Sequence, residues 1–256
     1  MFSDDVRDGI KGTVFDIKDK GFASGKPDME ESVKFGIVAA SNHPQVDMEK
    51  VNYSKKAYSA GPWNVITYAE CHDNNVLWDK LSLSCPDATR EELVKMQQLA
   101  LTIVLTSQGI PFLHAGTEFL RTKNGVENSY NAGDSINAID WSMKADNIET
   151  NNYIIKLIKM RKAHPAFRMT SNDEIKKNIR FNEKAPDGTI VYTINGAALK
   201  DSWKKIVVAL NGNKNDQTIS LPTGKWKVAT SANKKQKNVS GKIAVEGISA
   251  AVFYQE

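Results

Sequence analysis

The 256-residue chain has 41% hydrophobic and 25% charged residues, two cysteines and a formal net charge of +4. These proportions are ordinary for a globular protein, and two cysteines do not make a disulfide framework. No apolar run is long enough to cross a bilayer and no signal peptide opens the sequence, so no membrane partner is expected and the compartment stays open. The charge is uneven. From Ala166 onward there are 15 Lys+Arg against 8 Asp+Glu, or +7, and before it 19 against 22, or −3. The lysines of the basic half are scattered through alternating strand patterns without an Arg-rich or aromatic binding signature, which reads as a solvated face with no nucleic-acid partner. Cys71 and Cys85 fit no zinc or redox spacing and are expected to be free thiols. No cofactor motif or metal-ligand cluster stands out.

In chain order, Phe2 reads as the end of a strand already under way, followed by a polar loop over Ser3–Gly12. Glu30–Ser41 places Val33, Ile37 and Val38 at helical spacing, and His43-Pro44 ends that helix. A polar connector, 42–62, carries Tyr53, Tyr58 and the turn Gly61-Pro62. Trp63–Ala69 then reads as a buried strand that turns polar abruptly at Glu70-Cys71-His72-Asp73. Thr89-Arg90-Glu91-Glu92 is a capping box, in which hydroxyl and carboxylate satisfy orphan helix N–H groups. The helix behind it lines up Leu93, Met96, Leu99, Ala100, Ile103 and Val104. Ile110–His114 is the next buried strand, with Pro111 near its start, where a missing N–H is tolerable. A long polar loop runs from Arg121 to about Asn147, and Asn152–His164 forms another amphipathic helix closed by Pro165.

Strand ends thus alternate with helices, the repeated βα unit of a parallel sheet. Beyond Pro165 the pattern changes. Ile190–Ile194, Lys205–Leu210, Thr218–Leu221, Lys225–Ala229 and Ala250–Tyr254 are short strands punctuated by Asp187-Gly188, Asn195-Gly196, Asn211-Gly212 and Thr223-Gly224. Several short strands without helices indicate an antiparallel β-sandwich. Two domains are therefore expected, 1–165 and 166–256.

The string Glu70-Cys71-His72-Asp73-Asn74-Asn75-Val76-Leu77-Trp78-Asp79-Lys80-Leu81 resembles the strand-end motif of pullulanase-type debranching enzymes in the α-amylase clan of glycoside hydrolases. Phe2-Ser3-Asp4-Asp5-Val6-Arg7-Asp8-Gly9-Ile10-Lys11-Gly12 is similar to the segment that leaves the sixth barrel strand of those enzymes. Asn128–Trp141 is similar to their loop after strand eight. The resemblance implies an α/β plus all-β fold. It is the C-terminal portion of a (β/α)8 TIM barrel, about strands six to eight, followed by the β-sandwich. A complete barrel takes about 250 residues, so residues 1–165 are too few to close one.

By the same resemblance the intact protein cleaves α-1,6 branch links in pullulan, starch or glycogen with retention, and its partner is an α-glucan. Retaining glycosidases need a nucleophile and a general acid about 5–5.5 Å apart. The family places these after strands four and five, which this sequence does not contain, so the fragment is expected to be inactive. Asp73 is assigned as the transition-state stabiliser, because a carboxylate accepts sugar hydroxyls and sets negative charge beside a developing cation. His72, Asn74, Trp78, Tyr130, Asn131 and Asp134 are assigned to substrate binding, Glu118 to a supporting position and His114 to the core. Cys71 and Thr117 depart from common family residues without touching this chemistry. Two alternatives stay open: another clan member (isoamylase, branching enzyme or α-amylase), or a non-catalytic glucan-binding protein. Open sheet edges would also favour self-association.

Overall fold

The computed structural model describes residues 1–231 and 237–256. Its first helix, α1 (Asp4–Lys11), occupies the stretch that composition marks as a polar loop. The polarity misleads because these side chains are inside: Asp5, Arg7, Asp8 and Lys11 are all buried. Arg7 bridges Asp8 at 2.5 Å and Asp4 at 3.0 Å, while Asp5 accepts the Tyr53 and Ser54 amides at 2.9 and 3.0 Å. Helix α2 (Glu30–Ile37) crosses α1 closely. A Cβ on Gly36 would meet Val6 Cγ2 at 2.1 Å, so only glycine lets the two helices approach this far.

The next elements are β1 (Ile66–Thr67), α3 (Leu77–Ser84), α4 (Arg90–Thr106) and β2 (Ile110–Pro111). Both strands are shorter than the apolar runs that announce them, and a tight 3₁₀ turn at Pro62–Asn64 takes the start of the first. Phe2, β1 and β2 lie side by side and parallel. Ser3 N donates to Ile66 O at 3.1 Å, and Ile110 N to Val65 O at 2.9 Å. Thr89 and Glu92 close the capping box in both directions, at 3.2 and 2.8 Å. The polar stretch after β2 holds two short helices, α5 (Asp134–Asn137) and α6 (Ser142–Asp146), before α7 (Ile148–Ala163) packs on α4.

After α8 (Asn172–Asn178) come β3 (Ile179–Phe181), β4 (Thr189–Ile194), β5 (Lys205–Asn211), β6 (Gln217–Ser220), β7 (Trp226–Thr230), β8 (Asn238–Val239), β9 (Lys242–Val245) and β10 (Ser249–Gln255). Six of these form an antiparallel sheet in the order β3-β4-β5-β10-β7-β8, and β6 pairs with β9 as a separate ribbon. Alternate side chains point to opposite faces. Tyr192, Val208, Leu210 and Val252 join α4 in the main core. Val191, Val207, Ala209 and Phe253 pack under Ile219 and Val245 of the ribbon, beside Trp226. Burial on both faces is why β5 reads as an unbroken apolar run.

A second fastening ties α7 to the sheet. His164 Nδ1 lies 2.7 Å from Asp201 Oδ1, and its ring stacks on Trp203 at 3.5 Å, which stacks in turn on Tyr254 at 4.0 Å. Both cysteines are free thiols. No helix among the described residues is long and apolar enough to cross a membrane.

Candidate glucan-binding site

The loop from Glu70 to Val76 leaves the C-terminal end of β1 and is pinned at both ends. Glu70 is 4% exposed, and its Oε2 accepts the Leu77 amide at 2.7 Å, which closes the loop onto the first turn of α3. His114, after β2, brings its Nδ1 within 3.7 Å of the same oxygen. Its side chain is 14% exposed, at the margin of the core where the sequence had placed it. Lys11 at the end of α1 is buried throughout. That burial pulls its ammonium down to about 8, against the opposing attraction of Glu70. Segments following Phe2, β1 and β2 thus converge on one carboxylate.

His72 and Asp73 stand outward at the crest of this loop. His72 Nε2 lies 3.4 Å from Asp73 Oδ1, with side chains 82% and 72% exposed. Asn74 adopts φ +61°, a left-handed conformation that asparagine tolerates better than most residues. It donates to Glu127 Oε1 at 3.1 Å, and Asn75 donates to Gly125 O at 3.0 Å. These two amides join the β1 loop to the loop after β2. Trp78 sits half-buried on α3.

Tyr130, Asn131 and Asp134 are exposed on the far loop, Tyr130 at 82%. They share no hydrogen bond with His72 or Asp73 among the described residues. What fixes their loop is a buried chain of polar contacts that motif reading missed. The Asp79 carboxylate accepts Thr122 Oγ1 at 2.5 Å and the Lys123 and Gly125 amides at 2.8 and 3.0 Å. Lys123 Nζ reaches Ser129 Oγ at 2.6 Å, Asn137 Nδ2 donates to Ser129 O at 2.6 Å, and Arg121 donates to Asn137 O at 2.5 Å. Burial, with the Arg121 charge beside it, lowers the Lys123 pKa. An Asp two residues past a helix start is too common a feature to signal this from sequence.

The result is a solvent-facing shelf of two hydrogen-bonded loops, one presenting imidazole, carboxylate and amide groups and the other phenol, amide and carboxylate groups. Such groups match a neutral polyhydroxyl ligand, whose hydroxyls both donate and accept. Among the described residues no three His, Cys, Asp or Glu side chains converge to hold a metal ion.

Comparison with known proteins settles the family. Residues 175–234 match the family described as the pullulanase all-beta domain. A pullulanase of Bacillus subtilis is 34% identical over 99% of this chain. The chain belongs to the pullulanase family. The pullulanase structure from Bacillus acidopullulyticus superposes on all of it with a TM-score of 0.88 at 39% identity. That from Paenibacillus barengoltzii, complexed with maltohexaose and α-cyclodextrin, covers 99% with a TM-score of 0.89 at 39% identity. The chain spans 34%, 30% and 38% of those three pullulanases, about a third of their length, in keeping with the fragment expected from the motifs.

Proposed function

We propose that this chain is the C-terminal part of a debranching glycoside hydrolase. In this reading residues 1–165 are the end of a (β/α)8 barrel, about strands six to eight, and residues 166–256 are its β-sandwich domain. The intact protein cleaves α-1,6-glucosidic links in pullulan, starch or glycogen with retention. The observation that carries the reading is the joining of the His72-Asp73-Asn74 loop to the 125–134 loop, beyond the C-terminal ends of parallel strands, where barrel enzymes keep their active sites.

The shelf is one wall of the glucan cleft. Asp73 accepts hydroxyl hydrogen bonds from the sugar at the cleavage subsite and stabilises the oxocarbenium-like transition state with its charge. His72, with its Nε2 3.4 Å from Asp73 Oδ1, donates to the same sugar. Asn74, Tyr130, Asn131 and Asp134 supply further polar contacts, and Trp78 offers an apolar face to a glucose ring. Nucleophile and general acid belong to strands outside this sequence, so the 256-residue chain releases no reducing sugar from pullulan. A protein extended to the length of the relatives is expected to hydrolyse pullulan in preference to linear amylose. Preference for amylose would sink the debranching assignment. An isoamylase-like substrate range is the second reading, favoured by 28% identity to a Flavobacterium isoamylase over 64% of the chain.

A further inference from the structure

Three Asn-Gly pairs occur in this chain: Asn124-Gly125, Asn195-Gly196 and Asn211-Gly212. The pair has a chemistry of its own, because glycine sets no side chain between its backbone nitrogen and the asparagine amide before it. That nitrogen, once deprotonated, can attack the asparagine Cγ. The fold treats the three pairs differently.

Asn211 lies in β5 and is fully buried. Its Nδ2 donates to the carbonyls of Asn215, Val245 and Glu246 at 3.0, 3.1 and 3.0 Å, and its Oδ1 accepts the Asn213 amide at 3.0 Å. Gly212 N donates to Gly188 O at 2.9 Å. Only opening the sheet frees this pair. Asn195 is exposed, but its glycine is buried. Gly196 N donates to Ile194 O at 3.1 Å, and its carbonyl accepts the Leu199 and Asp201 amides at 2.9 and 3.0 Å. A Cβ on Gly196 would run into Trp203 O, so this peptide has no room to turn.

Asn124 stands in the open. It is exposed, and its side-chain amide has no hydrogen-bond partner among the described residues. A Cβ on Gly125 would meet only Leu83, at 3.6 Å. The two residues have φ +53° and +76°, and Val126 N donates to Lys123 O at 3.0 Å, which makes a type I′ turn. One bond restrains the reactive nitrogen: Gly125 N donates to Asp79 Oδ2 at 3.0 Å. A nitrogen held this way cannot turn toward Cγ, and the carboxylate opposes the negative charge that deprotonation would create.

We propose that Asn124 is a deamidation site guarded by Asp79. When the turn opens, Gly125 N loses its proton to hydroxide and bonds to Asn124 Cγ. The side-chain nitrogen takes a proton from water and leaves as ammonia. The resulting succinimide then takes up one water. Cleavage of the new N–Cγ bond gives aspartate, and cleavage of the original peptide bond gives isoaspartate, with the main chain running through Cβ and Cγ. Isoaspartate inserts that extra carbon directly before Gly125, whose carbonyl accepts Asn75 Nδ2 at 3.0 Å. The modification therefore loosens a bond that joins the two loops, whatever ligand they take.

The test stores the folded 256-residue chain in mildly alkaline buffer and follows each Asn-Gly peptide by mass spectrometry, beside a sample unfolded in urea. In urea the three pairs should convert at similar rates. In the folded chain Asn124 should convert first, with Asn195 and Asn211 slower by about tenfold or more. Asp79→Asn keeps the side-chain size without the charge. It should speed conversion at Asn124 about tenfold, the weight of one charge-assisted hydrogen bond, and leave Asn195 unchanged. Thr122→Val removes only the hydroxyl that steadies Asp79 and should give a smaller acceleration of the same sign. Conversion of Asn195 or Asn211 ahead of Asn124 in the folded wild type overturns the site. An unchanged or slower rate at Asn124 in both variants overturns the guard, as does an equal acceleration at Asn195, which would trace the effect to a general loosening of the chain.

Discussion

The sheet and the shelf handle polar groups in opposite ways. In β5 and β10 the strands are covered on both faces, and their buried side chains are mostly Val, Ile, Leu, Ala and Phe. Beneath the shelf, charged groups are buried together: Arg7 with Asp8, Asp79 with three donors, Lys11 near Glu70. The sheet holds its shape by apolar area, which tolerates small adjustments. The shelf is held by directional bonds, each of which fixes one loop relative to another. The glucan-binding role proposed for the shelf calls for the second kind of support, because a sugar is recognised by the positions of individual hydroxyl partners.

That contrast can be broken from either side, and the largest effect should come from the sheet. Trp226 is 1% exposed and donates its indole N–H to Pro222 O at 2.9 Å. Trp226→Ala should cost about 3–5 kcal/mol in urea unfolding, with the shelf unchanged in whatever remains folded. A loss under 1 kcal/mol would mean the ribbon does not need it.

Lys11 gives the next effect, and it has a sign. Its folded pKa of about 8 lies below the ordinary 10.5, so between those values the folded chain binds fewer protons than the unfolded one. Stability should therefore rise as the pH climbs from 8 toward 10.5, by a total of about 3 kcal/mol. Lys11→Met should remove that rise in denaturation measured across the window.

Asp79→Ala takes one acceptor from three donors and should cost about 2 kcal/mol while freeing the turn at 122–125. Faster amide exchange at Lys123 and Gly125, with Val208 and Val252 unaffected, is the expected signature. The smallest effect sharpens a detail that both regions share. Thr89→Ala opens the capping box of α4 and should cost about 1 kcal/mol, read from the thermal midpoint.

The same contrast explains what was legible in the sequence. Strands β4 to β7 and β10 were foreseeable because apolar runs between Gly turns have one physical reading, and α4 because its capping box states where it begins. Helix α1 was not. Its Asp, Arg and Lys residues read as surface until their partners are known, and those partners lie as far off as Tyr53 and Ser54. β3 and β8, of three and two residues, are too short to show periodicity. In the site, the motif located His72, Asp73 and Asn74 on a strand-end loop. The Asp79–Lys123–Ser129–Asn137 chain was hidden because it links residues that only folding brings together, though Ser129 and Asn137 lie inside the stretch singled out for Tyr130 and Asp134.

The wall proposed here joins the His72-Asp73 loop to the 125–137 loop, and an NMR titration of the chain with maltohexaose reads both at once. Amide shifts should appear at 71–78 and 125–137 together and be abolished in Asp73→Ala, a variant whose stability should change by less than about 0.5 kcal/mol because the side chain is exposed. Shifts confined to the β-rich half, or a response that survives Asp73→Ala intact, would contradict it.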